Sequence, residues 1–185
     1  MNLYGKSGYH HQSSNLMHNN WNYNWCNNWN PYYYNQNVGW NNNWNVYYRR
    51  YELKDYGPNP FVININEAAK QNNTFRTAIW TGKHLQVTLM TINVGEDIGL
   101  EIHPTLDQFL RIEEGQGLVQ MGKSKDRLDF QANVYDDFAI VVPAGTWHNL
   151  INTGNTPLKL YSIYAPPQHP FGTVHQTKAD AMVAE

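Results

Sequence analysis

The sequence has little cysteine, no long apolar run and, in its first fifty residues, no acidic side chain. Its 185 residues contain one cysteine, Cys26, which excludes an internal disulfide and leaves an exposed thiol, an intermolecular link or an idle thiol. No apolar stretch reaches the length of a signal-peptide core or a membrane span. We therefore expect a soluble, cytoplasmic protein with no membrane partner.

The first fifty residues, here called the head, have a strongly biased composition. They lack Asp and Glu, contain few Leu, Ile or Val, and hold five of the seven tryptophans among many asparagines and tyrosines. Such a segment cannot build an ordinary core. Asparagine-rich tracts with spaced aromatic rings favour self-association, and the composition resembles segments of spore-coat and other assembly proteins. The head is therefore expected to mediate self-assembly or coat contacts, with a solvated, disordered tail as the alternative.

The distribution of charge argues against a nucleic-acid partner. The head carries a net charge of +3 from Lys6, Arg49 and Arg50, whereas the remaining ten Lys and Arg face fifteen Asp and Glu, a net charge of −5. Aromatic rings could stack on exposed bases, but three cations are too few for the electrostatic footprint of a nucleic-acid binder.

Composition becomes that of an ordinary globular domain near residue 58. We predict an extension over residues 1–57, a β-barrel over 58–166 and a C-terminal tail over 167–185. Seven short segments are predicted as strands, and NEAAKQN is predicted as a helical turn capped by Asn66. Short strands separated by turns indicate an all-β fold with two sheets. The predicted strands are PFVINI, FRTAIW, HLQVTLMTI, GLVQMG, VYDDFAIVV, HNLIN and LKLYSIY.

Two segments in the barrel region carry residues suited to a metal site. They read GEDIGLEIHPTLDQFLRIEEG and PAGTWHNLIN. Glu101 and His103 lie two residues apart in a strand-like run, so their side chains share one face. Residues 104–107 suit a short reversal that would bring Gln108 back to the depth of His103. His148 could supply a fourth ligand from a more distant strand.

These segments resemble the two motifs of the cupin superfamily. The first family motif has HxH followed by Glu between two glycines, and the second has PxG followed by His and Asn. The second motif is matched by Pro143, Gly145, His148 and Asn152, with Asp137 in place of its leading glycine. In the first motif, Glu101 replaces the first histidine and Gln108 replaces the glutamate.

The resemblance implies a double-stranded β-helix, or jelly-roll, barrel and a homodimer. It extends to single-domain bacterial cupins loosely described as sugar-phosphate isomerase-like. The implied site holds one divalent metal ion through Glu101, His103, Gln108 and His148. Two imidazoles with one carboxylate favour iron, an additional oxygen donor suits manganese, and zinc or nickel are alternatives. Gln108 could equally hydrogen-bond a substrate or a water.

Further residues are expected to shape the barrel interior. Arg76 could hold an anionic group of a substrate, and Trp80 could form a flat wall beside it. In the tail, His169 and His175 could fold over the barrel mouth as a general acid or base, or could titrate idly in solvent. Alternation predicts three apolar wall residues, which are Met90, Leu110 and Ile112.

Three functions remain open from the sequence. The first is a metal-dependent enzyme that isomerises a sugar, a sugar phosphate or another small polar substrate. The second is a metal-dependent dioxygenase, because the same ligands suit iron and oxygen. The third is a structural spore-coat or surface-assembly protein, in which the barrel is a stable module and the head makes the contacts.

Overall fold

The computed structural model describes residues 50–184, which form ten β-strands and two short α-helices. The strands form two antiparallel sheets, which confirms the predicted all-β double-stranded β-helix. The elements in chain order are α1 (Ile65–Gln71), β1 (Arg76–Thr81), β2 (Gln86–Ile92), β3 (Glu101–Ile102), β4 (Asp107–Glu114), β5 (Gly117–Gly122), β6 (Phe130–Val134), β7 (Ala139–Val142), β8 (Trp147–Asn152), β9 (Leu158–Ala165), β10 (Val174–His175) and α2 (Lys178–Ala184).

The two sheets enclose a core that is apolar at one end and polar at the other. One sheet has the order β10-β1-β2-β9-β4-β7 and the other β3-β8-β5-β6. Alternate residues of each strand point inward, as period-two geometry requires. The predicted wall residues Met90, Leu110 and Ile112 are confirmed, because all three are buried in the apolar core. The inward positions nearer the other end carry polar side chains instead, among them Gln86, Thr88, Gln108, Ser162 and Tyr164.

Helix α1 covers the outer face of the six-stranded sheet and differs from its predicted form. Ala68 and Ala69 pack against Ile79 and Leu89 in a second apolar cluster. The segment PFVINI was expected to be a strand, but residues 60–64 are irregular and the helix begins at Ile65. The helix begins here because the short polar side chain of Asn64, the residue before it, satisfies a free backbone N–H of the first turn.

The capping residue itself is also corrected. Asn64 is the N-cap, since its Oδ1 accepts a hydrogen bond from Glu67 N at 3.3 Å. Asn66, the predicted cap, lies within the first turn and instead donates from Nδ2 to Glu113 Oε2 at 2.6 Å. Asn66 therefore anchors the helix to strand β4.

The reversal over residues 104–107 joins the two sheets and does not form a hairpin. Strand β3 pairs with β8 in the smaller sheet, whereas β4 pairs with β9 and β7 in the larger one. Two hydrogen bonds fasten this crossover to the turn that precedes β8. Gly145 N donates to His103 O at 2.8 Å, and Ala144 N donates to Asp107 Oδ1 at 2.9 Å. The two predicted motifs are thus held together by their own loops.

Asp137 has a left-handed backbone conformation, which explains why the cupin motif has a glycine at this position. Its φ is 70°, and it lies in a turn that separates β6 from β7, so the run VYDDFAIVV is not one strand. Aspartate tolerates this conformation better than most residues with a Cβ. Its Oδ1 also accepts a hydrogen bond from Arg111 Nη2 at 2.5 Å, while Arg111 Nη1 binds Glu113.

The C-terminal segment returns across the barrel. Residues 166–177, here called the strap, include β10, whose Val174 and His175 pair with Thr77 and Arg76 of β1. Gly172 N donates to Asp55 Oδ2 at 3.0 Å, which ties the strap to the segment before α1. After the strap, Ala181 of α2 is buried in the apolar core. The tail therefore folds back on the barrel.

Residues 50–57, which precede the predicted barrel, belong to the same compact unit as the barrel. Tyr56 N, for example, donates to Ile79 O at 3.0 Å. Residues 1–49 of the head, including Cys26, lie outside the described residues. Between residues 50 and 184, neither helix is long and apolar enough to cross a bilayer.

We predict that Asp137→Ala lowers the free energy of unfolding, because alanine tolerates the left-handed conformation less well than aspartate and loses the partly screened ion pair with Arg111. Asp137→Gly removes the strain and should stay within about 0.5 kcal/mol of the wild type. Urea denaturation measures both values. A glycine variant destabilised as much as the alanine variant would show that the conformation of residue 137 is not the source of the cost.

Candidate metal centre

Strands β3 and β8 bring the predicted ligands together at the polar end of the barrel. Glu101 is the direct cross-strand partner of His148, although 46 residues separate them in the sequence. His103 follows two residues after Glu101 and is fastened through its carbonyl to Gly145. One oxygen of Glu101 and one nitrogen of each histidine all lie within 4.8 Å of one another. The structure therefore groups three of the four predicted ligands.

The three side chains point their polar atoms at a common region. Glu101 Oε1 lies 3.2 Å from His148 Nε2 and 3.4 Å from His103 Nε2, yet none of the three buried atoms makes a hydrogen bond with adequate geometry. Leaving buried polar atoms unpaired costs free energy. A cation bound by all three would satisfy them at once, so this donor set fits a divalent metal ion.

The backbone carbonyl of Thr146 orients the ring of His148. Its Nδ1 lies 3.0 Å from Thr146 O. Because a carbonyl oxygen only accepts hydrogen bonds, Nδ1 must carry a proton, and Nε2 is the nitrogen that faces Glu101. A metal-binding histidine is commonly oriented by a backbone carbonyl in this way.

The electrostatics of the group keep the carboxylate charged. Burial raises the pKa of Glu101, but interactions with His103 and His148 more than offset that effect and lower its pKa to about 2. Glu101 is therefore an anion at neutral pH, even in a buried position. An ionised carboxylate beside two imidazole nitrogens is the protonation state that a metal ion requires.

Gln108, the fourth predicted ligand, is completely buried inside the same end of the barrel. It pairs in register with Tyr164, whose ring lies edge-on to His103 with centroids 5.7 Å apart. The Gln108 Nε2 donates to Ser162 Oγ at 2.9 Å, and its Oε1 is buried without a hydrogen-bond partner. Gln108 therefore points its amide into the barrel, where Nε2 is already hydrogen-bonded and Oε1 is not.

The two predicted substrate contacts lie on opposite faces of β1. Arg76 is 1% exposed, and its Nη1 lies 3.5 Å from Nδ1 of His175 in the strap. Trp80 instead faces outward, where its Nε1 donates to Asn59 O at 2.8 Å and its ring covers Gly82. A β-bulge between Ala78 and Trp80 shifts the register, so the two side chains do not share a face as alternation would require, and Trp80 does not lie beside Arg76.

Two further residues complete the polar end. The sequence did not single out Tyr164, and it indicated His169 only as one of two tail histidines that could fold over the barrel mouth. Tyr164 is fully buried between His103 and His169, and its ring lies edge-on to both. Alternation along β9 could have indicated Tyr164. His169 enters from the strap, where no periodic pattern predicts which side chain turns inward.

Comparisons with known proteins agree with this architecture. The model of the cupin domain matches residues 88–164, which include all four predicted ligands. The uncharacterized protein YrkC of Bacillus subtilis (strain 168) is 81% identical over 133 residues, which are 72% of each chain. An uncharacterized protein of Acanthamoeba polyphaga mimivirus is 44% identical over 115 residues, which are 62% of this chain and 70% of the viral protein.

A solved structure shares the fold as well. The crystal structure of BH2720 from Bacillus halodurans is 72% identical, covers 71% of this chain and 99% of its own, and superposes with a TM-score of 0.70. The paired motifs, the two-sheet barrel and these similarities lead to one conclusion. This chain belongs to the cupin family, as a single-domain bacterial cupin.

Proposed function

We propose that this protein binds one divalent metal ion and acts as an enzyme on a small polar molecule inside the barrel. Glu101, His103 and His148 would hold the ion, and Gln108 would add its amide oxygen. The observation that carries the proposal is the set of three buried ligand atoms that converge without hydrogen-bond partners. A purely structural barrel would gain stability from apolar side chains at these positions.

The donor set favours iron(II) or manganese(II). Two imidazoles with one carboxylate are typical of non-haem iron(II) sites, and an added amide oxygen suits manganese. Zinc and nickel are alternatives, because imidazole binds both. The single carboxylate of Glu101 would leave a net charge near plus one on the bound ion, and a positive centre attracts an oxygen of a polar substrate.

Isomerisation of a sugar, a sugar phosphate or a related polar molecule is the reaction that we favour. A bound ion would supply Lewis acidity to a substrate oxygen. The chain itself would orient the substrate through Arg76 and Gln108, and the apolar core at the other end of the barrel would limit access of water. Oxygen-dependent oxidation uses the same ligand types and is the alternative reaction.

We predict that protein purified without added metal contains close to one equivalent of iron or manganese. His103→Ala and His148→Ala should each remove most of it, because each substitution removes one of three close ligands. Elemental analysis by mass spectrometry measures the content. His84→Ala is the matched control, since His84 is exposed and outside the group. Metal-free wild type, or unchanged metal in both ligand variants, would contradict metal binding by this site.

The role of Gln108 can be tested separately. We predict that Gln108→Leu weakens metal affinity about tenfold or more, because it removes an oxygen donor while filling similar volume. Gln108→Glu should strengthen affinity, because a second carboxylate adds charge. Competition with a coloured chelator measures both changes, and exposed Gln131→Leu serves as the control. Equal affinities for all three variants would limit Gln108 to the hydrogen bond with Ser162.

A second function is favoured by the composition of the head. Five tryptophans spaced among asparagines, without any Asp or Glu, suit self-association in a coat or surface assembly. Residues 50–57 belong to the compact unit that contains the barrel, so a cut after residue 46 leaves the described contacts of Tyr51 with Gln71 intact.

We predict that removal of residues 1–46 abolishes self-association of the full chain and leaves the metal content unchanged. Analytical ultracentrifugation over a range of concentrations measures the first result, and elemental analysis measures the second. A variant of the full chain with its five head tryptophans changed to serine should behave like the deletion. Self-association that survives both changes would assign the assembly contacts to the barrel instead.

A further inference from the structure

We infer that Arg76 and His169 form a binding site for the carboxylate group of a small organic acid, beside the proposed metal centre. The inference rests on the proposed function in one respect, because this site would hold the other end of the same substrate. It narrows the substrate class from small polar molecules to hydroxylated carboxylic acids, such as sugar acids.

His169 is a buried histidine that the metal group does not use. Its side chain is almost fully buried, and its Nε2 has no hydrogen-bond partner within the described residues. The ring packs edge-on against Tyr164, with centroids 5.1 Å apart, and lies 6.2 Å from the ring of His175. A buried imidazole nitrogen without a partner is costly unless a ligand satisfies it.

Two hydrogen bonds hold the backbone of His169 in place within the strap. The side-chain amide of Gln86 binds it twice: His169 N donates to Gln86 Oε1, and Gln86 Nε2 donates to His169 O, both at 2.9 Å. Gln86 is itself fully buried and also donates to Thr81 Oγ1. His169 is therefore held in place before any ligand arrives, which reduces the entropy cost of binding.

Arg76 supplies the positive charge of the site. Its side chain is buried at the start of β1, and since a guanidinium only donates, the Nδ1 of His175 accepts from its Nη1. Its charge also acts on His169. Burial lowers the pKa of His169 most, and Arg76 lowers it further, to about 3, with a larger effect than the opposing effect of Glu101.

His169 is therefore neutral in the free protein, in a field dominated by a cation. An anion placed near both side chains would be attracted by Arg76 and could accept a hydrogen bond from the imidazole. The anion that we infer is a carboxylate, because its planar pair of oxygens matches the geometry of a guanidinium group.

The position relative to the metal group defines the substrate. The ring of Tyr164 lies edge-on between His103 and His169, so one aromatic ring separates the two sites. A small acid with a hydroxyl or carbonyl group a few carbons from its carboxylate could reach both. The carboxylate would lie at Arg76, and the second oxygen would face the metal ligands.

The test uses the full-length protein, stripped of metal by a chelator and labelled with ¹⁵N in its histidine rings. Acetate is added at pH 6, and the imidazole signals are followed by NMR. We expect a saturable shift in the His169 signal, which is assigned by its loss in His169→Asn. Arg76→Met should weaken acetate binding by about tenfold or more, as expected when a charged hydrogen bond is lost.

The controls keep this test independent of metal binding and of folding. His84→Ala and Arg127→Met change an exposed histidine and an exposed arginine, and should leave acetate affinity unchanged. Thermal unfolding verifies that each variant is folded. If Arg76→Met does not fold, Arg76→Lys replaces it, and should also bind acetate more weakly because it lacks the planar fork.

Three results would overturn the inference. The first is equal acetate affinity in the wild type and in the folded Arg76 variant. The second is a shift confined to the signals of His103 and His148. The third is tighter binding of inorganic phosphate than of acetate. Because the measurement is made without metal, absence of metal in the purified protein would refute the proposed function and leave this result standing.

Discussion

The cross-strand pairing of Glu101 with His148 is the constraint on which the rest of the site depends. Strand β3 has only two residues, so this register would be weakly specified by its own ladder. The bonds from Gly145 to His103 and from Ala144 to Asp107 hold it in place. A slip of one residue would turn every side chain to the opposite face of the sheet. The loops of the two motifs thus protect the register that brings the ligand atoms together.

Placing so many polar groups inside a barrel has a cost that the rest of the core must offset. Arg76, Gln108 and His148 are each almost completely buried, and their desolvation opposes folding. The tightly packed aliphatic cluster at the other end supplies hydrophobic stabilisation, and the division into two ends keeps both environments intact. The low polarity of the surrounding core also strengthens any charge interaction inside the site. The apolar end of the barrel therefore stabilises the fold, and the polar end carries the groups suited to binding.

Residue spacing predicted an all-β fold and the shared face of Glu101 and His103, whereas the resemblance to the cupin motifs implied the jelly-roll barrel and the grouping with His148. Strand alternation placed Glu101 and His103 on one face, and the turn before His148 identified the returning strand. The sequence did not reveal the outward position of Trp80, because a bulge depends on pairing with a neighbouring strand that no single segment reveals. Alternation also gave no information on the pairing of β3 with β8 or on His169. The two hydrogen bonds that hold His169 come from Gln86, 83 residues away, and such long-range hydrogen bonds cannot be inferred from the periodicity of a sequence.

The polar end contains two electrostatic environments of opposite sign within one enclosed space. Around Glu101 the ionised carboxylate and two imidazole nitrogens suit a cation, whereas at His169 the effect of Arg76 on the pKa exceeds that of Glu101. In the metal-free protein, a ligand with a carboxylate and a neutral oxygen would be oriented by this difference, since reversal would place its negative charge against Glu101. The strap makes such an orientation effective, because it delivers His169 and His175 to the cationic side and holds them there through the sheet. Orientation therefore depends on the strap as well as on the two metal motifs.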